Sequence, residues 1–257
     1  MRVPRFTQRL REHDWTAALI ELVIVIAGIL IALQVSNWNQ DRIDAARGQR
    51  YTKRIHDDVQ ADIQNMAKAR AFWKMVAGFG KQALAHGEDG TLVDGSPWKT
   101  ALAYYQARQI LPFELDDTTF NELRDAGDLG LIEDEDLRWG LSSYYRATGA
   151  GVTAEILRHN PAYRVQIRSL VPAEVQDYIW AKCFRQLGGV DQELLDCPSP
   201  IPDAQANTQL ASLSDNQTLQ QNLRYWYVWL GVSDKVLDST DAAAQALSAK
   251  TLLSTHR

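Results

Sequence analysis

The chain has 257 residues, enough for one compact domain with an appendage or for two small ones. Lys and Arg total 27 against 32 Asp and Glu, so the net charge of -5 excludes a general nucleic-acid binder, whose affinity rests on neutralising phosphates. A composition of 46% hydrophobic and 23% charged residues excludes disordered and fibrous classes, and two cysteines allow one bridge but no disulfide-dense scaffold or four-cysteine zinc site.

Residues 1–14 form a short basic tail with Arg2, Arg5, Arg9 and Arg11. The run from Ala17 to Leu33, AALIELVIVIAGILIAL, then meets the lower length limit for a transmembrane helix. Trp15 and Trp38 bracket it, and a rise of ~1.5 Å per residue puts the two indoles roughly 34 Å apart, the spacing of the two interfacial belts of a bilayer. The pattern therefore predicts a membrane-spanning helix over 15–38. It stays as an anchor, because LQVSNWNQDR follows in place of a small-residue cleavage site. Arg42, Arg47, Arg50, Lys53 and Arg54 on the far side nearly balance the tail. The denser N-terminal cluster favours a cytoplasmic N-terminus, which places 39–257 in the periplasm.

Within the span, Glu21, Val25, Gly28 and Ala32 share one helical face. The Gly28/Ala32 pair lets two backbones approach closely, so the face suits association with a second copy or another membrane protein. In a lone anchor Glu21 would instead snorkel or stay protonated.

Residues 40–86 lack proline, and Ile55, Val59, Ile63, Met66, Trp73 and Val76 recur at spacings of three, four or seven, which predicts a long amphipathic helix continuing the anchor as a stalk. Gly78, Gly80 and Gly87 would loosen its far end. GEDGTLVDGSP reads as a loop, followed by a helix capped near Ser96 with Pro97 at its first position and ending before Pro112. A short helix over Thr118 to Ala126 stops at Gly127. Asp134 opens the next helix, which runs to about Asn160 with the acidic run Glu133 to Asp136 on its first turn. Pro161 and Pro172 punctuate two further helices, the second reaching Leu187, and Gly188 to Ser212 reads as loop. The last helix begins at a capping box of Ser214 and Gln217. It carries the heptad seam Leu219, Leu223, Trp226, Leu230, Ser233, Leu237, Thr240, Ala244, Leu247.

Two long helices with apolar stripes make antiparallel packing in an all-α bundle the economical architecture, and no alternating run bounded by hairpin turns argues for a sheet. Cys183 and Cys197 either bridge, which would stabilise the fold by roughly 3 kcal/mol in the chain-entropy model, or remain two buried thiols.

Two stretches resemble an uncharacterised family of bacterial single-pass membrane proteins, domain of unknown function 6090. The first is Glu21, Gly28, the string GILIALQ and Asn37-Trp38-Asn39, with Ser36 departing from the Asn-Asn often found before that Trp. The second, from Phe120 through Leu123, Gly127, Leu129, Leu131 and Ile132, follows the F-x-x-L-x-x-x-G-x-L-x-L-I pattern. Leu137, Arg138, Leu141, Tyr144 and Tyr145 then follow L-R-x-x-L-x-x-Y-Y. The resemblance implies a bacterial inner-membrane setting and carries over no catalytic residues.

Catalytic signatures are absent from the sequence: no G-x-S-x-G, no GxxxxGK[ST], no GxGxxG after a strand, no H-E-x-x-H. His13, His56, His86, His159 and His256 are dispersed, and His56-Asp57-Asp58 and Glu155 with His159 are the only local pairs, of the kind found on solvated helix faces. In Tyr225-Trp226-Tyr227-Val228-Trp229 the two tryptophans suit the core, while Tyr225 and Tyr227 suit an outward interaction surface. These features predict a membrane-anchored helical interaction or scaffold protein that is not an enzyme. Its partners would be the lipid bilayer and a second copy or membrane protein, with no nucleic acid, cofactor or metal. An extracytoplasmic ligand-binding sensor-like domain acting through a partner is the alternative, and an enzyme using scattered carboxylates a third.

Overall fold

The computed structural model describes residues 14–146, 160–188 and 191–255, and over them the fold is all-α with one small hairpin. Its helices are α1 (Asp14–Asp89), α2 (Pro97–Gln106), α3 (Thr118–Asp125), α4 (Glu135–Arg146), α5 (Ala162–Leu170), α6 (Ala173–Lys182), α7 (Asp203–Ser214) and α8 (Gln217–Thr255). Strands β1 (Phe184–Gly188) and β2 (Asp191–Leu194) pair antiparallel between α6 and α7. The four tail arginines, His13, Glu155, His159 and His256 lie outside the described residues.

The segments expected as anchor and stalk are one unbroken helix of 76 residues whose surface changes character along its length. Its N-terminal part is exposed throughout, and a window of 18 residues there has a mean hydropathy of 2.7, long and apolar enough to cross a membrane. From Tyr51 onward the apolar stripe turns inward, and Ile55, Val59, Met66, Trp73 and Val76 are buried. Every seam residue of α8 is buried too, from Leu219 to Leu247.

The two helices run antiparallel, as their polar rungs show. His56 Nδ1 meets the Thr251 hydroxyl at 2.9 Å, Gln60 donates to Ser248, and Arg70 donates to Asp234 at 2.9 Å and to Asp238. The late glycines do not loosen α1, which continues past them to Asp89. Tyr227 and Leu223 pack at Gly80 at ordinary contact distance, whereas a side chain at Gly87 would strike the Gln220 amide. Nearer the N-terminus of α1, a Cβ at Gly48 would meet the Leu131 carbonyl oxygen, so the chain after α3 can rest directly on α1.

Several boundaries differ from expectation, each for a tertiary reason. Helix α2 ends at Gln106, six residues before Pro112, because residues 107–111 run buried and irregular beneath the bundle. Side chains supply the donors that a helix would have provided there: Trp226 Nε1 to Ala107 O at 2.7 Å, Arg164 Nε to Arg108 O at 2.9 Å, Gln192 Nε2 to Ile110 O at 2.6 Å and Trp73 Nε1 to Leu111 O at 2.9 Å. A buried irregular segment is tolerable only with such partners.

Ser96 does cap α2, accepting from Lys99 N, and Gly127 does take the left-handed conformation after α3, with φ of 74°. Asp134 accepts from Leu137 N at the start of α4, whose described part ends at Arg146. Helix α6 stops at Lys182, and the chain beyond it forms the hairpin rather than continuing helical to Leu187. Helix α7 occupies part of the expected loop, starting after Pro202. Ser214 belongs to the end of α7, and the cap of α8 is Asn216, whose Oδ1 accepts from Leu219 N at 3.0 Å.

Candidate functional site

Glu21, Gly28 and Ala32 fall on one exposed face of α1, and a Cβ at Gly28 would meet nothing within 4 Å. Tyr225 is 72% exposed, as an interaction surface requires. Tyr227 is half-buried against Gly80, so it is a packing residue rather than a second outward contact. Trp226 is buried and Trp229 packs at the edge of the core. His56 is engaged by Thr251 and Asp57 is exposed. Among the described residues no group of three His, Cys, Asp or Glu could hold a metal ion.

One buried carboxylate escaped the sequence reading. Asp62, fully buried, accepts from Asp116 N at 2.9 Å on Oδ1 and from the Tyr144 hydroxyl at 2.9 Å on Oδ2. Burial pushes its carboxyl up to about 6, against which the two hydrogen bonds pull, and the neighbouring Asp116 and Asp58 add repulsion. Burial likewise raises Asp58, one turn earlier, and the Tyr144 and Tyr145 hydroxyls. With both oxygens of Asp62 occupied by protein donors, the cluster reads as a structural brace between α1, α4 and the chain before α3. The signal was present: Asp62 sits on the Ile55, Val59, Met66 face, where a polar residue interrupts an apolar stripe.

The other concentration of buried polarity surrounds α2. Here Cys183 and Cys197 are bonded to each other with Cα atoms 5.3 Å apart. Their carbonyls accept from opposite ends of α2, from Trp98 Nε1 to Cys197 O at 2.9 Å and from Gln106 Nε2 to Cys183 O at 3.1 Å. The bridge thereby clamps its loop across α2 and completes a second, smaller core of Trp98, Leu102, Tyr105, Val175, Ile179 and the two half-cystines. Replacing both cysteines with serine should cost about 3 kcal/mol by freeing the closed loop in the unfolded chain. Denaturant titration of wild type and variant checks it, and equal midpoints would leave the bridge without a stabilising role.

Beside this core lies a cleft of about 150 Å³, walled by Trp98, Tyr105, Val171, Val175, Ile179 and Leu213, with Gln209 of α7 at its edge. The Tyr105 hydroxyl and Gln209 Nε2 are buried without a hydrogen-bond partner. Behind the Tyr105 ring, 3.9 Å from its centroid, lies the guanidinium of Arg108, fully buried and also facing the Trp180 ring at 5.3 Å. Tyr105 and Arg108 lie within electrostatic reach, but the hydroxyl and the guanidinium are not placed to complete a hydrogen bond.

None of Arg108 Nε, Nη1 or Nη2 has an acceptor among the described residues, and Gln106 Oε1 and Gln109 Nε2 are unpartnered nearby. Burial lowers the Arg108 pKa and takes that of Arg164 to about 10, with Arg168 and Arg108 adding repulsion to Arg164. Among the described residues no carboxylate offsets this charge, and the Tyr105 and Trp180 rings are what the guanidinium faces instead.

Comparisons with models of protein families, with curated proteins and with solved structures find no match for this chain.

Proposed function

We propose that the chain is a membrane-anchored helical interaction protein of the bacterial inner membrane, its basic tail in the cytoplasm and its bundle in the periplasm. The observation that carries this reading is α1 itself. One helix without a break leads from an exposed apolar stretch into the centre of the bundle. A bundle fixed to its anchor in this way takes its orientation from whatever the anchor pairs with. The exposed face of Glu21, Gly28 and Ala32 offers that pairing surface, and a second copy is the simplest occupant. The Trp38 ring beside Arg42, at 5.7 Å, suits the lipid interface. The disulfide suits an oxidising compartment, and the resemblance to inner-membrane single-pass proteins points the same way.

Exchanging both Gly28 and Ala32 for leucine should cut cross-linking between copies in membranes several-fold, because the added bulk separates the backbones. Unchanged cross-linking would make this face a plain lipid contact and remove the reading's support. A C-terminal reporter active only in the periplasm should be active, and silence would reverse the topology.

The cleft beside α2 favours a second reading, a ligand-binding sensor-like domain acting through a membrane partner. Small-molecule sites are concave and mostly apolar, as this one is.

A further inference from the structure

We infer that the groove between α4 and α8 binds a hexopyranose ring of a glycan, stacked on Trp139, with its hydroxyls shared between Asp136 and Lys250 at one end and Ser143 and Ser239 at the other. The inference goes beyond both readings above, and only the source of the sugar rests on the membrane reading.

Helix α4 runs antiparallel to α8. Gly140 lies against Leu247, where a Cβ would crowd the leucine at 3.0 Å, and Asp134 and Ser254 line one hollow nearer the start of α4. Between the two helices lies a groove of about 330 Å³, open to solvent and of the size that small-ligand pockets have. Asp136, Trp139 and Ser143 share one face of α4 at spacings of three and four, and Ser239, Ala243, Ala246 and Lys250 share one face of α8. The antiparallel run therefore puts Asp136 and Lys250 at one end and Ser143 and Ser239 at the other, about 10 Å away along the α4 axis. Trp139 stands between the ends on one wall, Ala243 and Ala246 on the other. Ser143 is half-buried and the other six are exposed, so each presents surface to the groove.

The residue types select a sugar. Trp139 is 71% exposed, an unusual position for an indole, and its ring face carries the negative side of a quadrupole. A pyranose ring presents weakly positive C–H hydrogens on its flat face and hydroxyls around its edge, and the two alanines leave room for such a body beside the indole. The carboxylate of Asp136 only accepts hydrogen bonds and the ammonium of Lys250 only donates them, and among the described residues neither is held in an ion pair. The Ser239 hydroxyl donates to Val236 O at 2.8 Å and keeps lone pairs to accept with. Sugar hydroxyls donate and accept at once, so they satisfy both ends. An anionic ligand would meet repulsion from Asp136, and a cationic one repulsion from Lys250. A zwitterionic amino acid would satisfy that pair and leave the serine end without a partner.

The source of the sugar follows from position. Gln60 donates to Ser248, beside the groove, and Trp38 lies about 33 Å back along α1 from Gln60 at the usual rise. The sugar headgroup of a glycolipid in the anchoring bilayer does not reach that level, so the glycan lies outside the membrane.

The test titrates full-length protein in lipid nanodiscs by calorimetry with cellotriose, a chain of all-equatorial β-linked glucose rings, and with phenylalanine. Cellotriose should bind saturably and phenylalanine should not. Trp139→Ala should weaken cellotriose about tenfold or more by removing the stacking face, and Ala243→Leu, which narrows the slot from the other wall, should do the same. Asp136→Ala should weaken it about fivefold by removing an acceptor. All three positions are exposed, so each variant should keep the wild-type melting temperature within about 2 °C. Discs containing monoglucosyl diacylglycerol should bind cellotriose as plain discs do. Loss of cellotriose binding in those discs would show the bilayer's own headgroup in the groove and overturn the source. Phenylalanine binding in place of cellotriose would overturn the sugar class. No saturable binding of cellotriose, or binding undiminished in Trp139→Ala, would overturn the proposal while leaving anchor pairing and the α2 cleft as they stand.

Discussion

Truncating Trp226 to alanine is expected to cost about 4 kcal/mol, since emptying a buried tryptophan site removes the largest packed surface a side chain offers and leaves a cavity that rigid helices cannot close. Trp226 is 1% exposed, midway along the α8 seam, and it does two jobs. Its rings are part of the main core, and its Nε1 donates to the carbonyl of Ala107 at 2.7 Å, where the chain leaves α2. Trp226→Phe separates the two. It keeps most of the apolar volume and orphans the carbonyl, which should cost about 1–3 kcal/mol, the penalty for an unsatisfied buried polar group, together with a smaller packing loss. Denaturant unfolding followed by far-ultraviolet circular dichroism measures both variants. An alanine variant within about 1 kcal/mol of wild type would mean that the segment after α2 is not held by this residue.

The long elements were legible because their information is local and repeated. In α8 nine seam residues alternate at four and three and all nine are buried, so period and structure agree. Along α1 the same logic works twice, with an apolar surface all round in its N-terminal part and a single stripe from Tyr51 onward.

What the sequence hid depends on contacts between distant segments. Residues 107–111 carry enough apolar side chains to pass for more helix, and only the donors from Trp73, Arg164, Gln192 and Trp226 make their irregular path affordable. The hairpin β1–β2 shows no alternation of buried and exposed positions in β1, so period two could not announce it. Gly188 and Gly189 were the available turn signal. Helix α7 has few large apolar residues, and Ala206, Leu210 and Leu213 suffice to seat it.

The cleft was out of reach for a different reason. Trp98, Tyr105, Val175 and Gln209 come from three helices, and Arg108 stands out only once its burial without an acid is visible. Cys183 and Cys197 mark the same neighbourhood in the sequence, as the staple of the core that the cleft adjoins.

Wild-type stability should fall by roughly 3 kcal/mol between about pH 4 and pH 7 through Asp62 alone, and Asp62→Asn should remove that fall. The direction follows from the folded-state pKa of about 6 against an ordinary 3.8. A carboxyl whose pKa rises on folding binds its proton more tightly in the folded state. Its contribution is therefore fully present below the unfolded value and is lost as the pH rises through the folded one. About two units of displacement at roughly 1.4 kcal/mol each set the size.

Asparagine keeps an oxygen for the Asp116 N–H, and its amide can donate to the Tyr144 hydroxyl, which accepts as readily as it donates. The variant should accordingly match wild type near pH 4 and exceed it above pH 7. Asp58, also raised by burial, titrates in both proteins, so the difference between the two stability curves reads Asp62 together with its repulsion from Asp58. Tyr144→Phe supplies a check on the cause. Without its hydroxyl the ionised carboxylate loses one of two donors, the Asp62 pKa climbs further, and the falling limb of the stability curve moves to higher pH. Parallel curves for wild type and Asp62→Asn across this range would show that the buried carboxylate does not change its affinity for protons on folding.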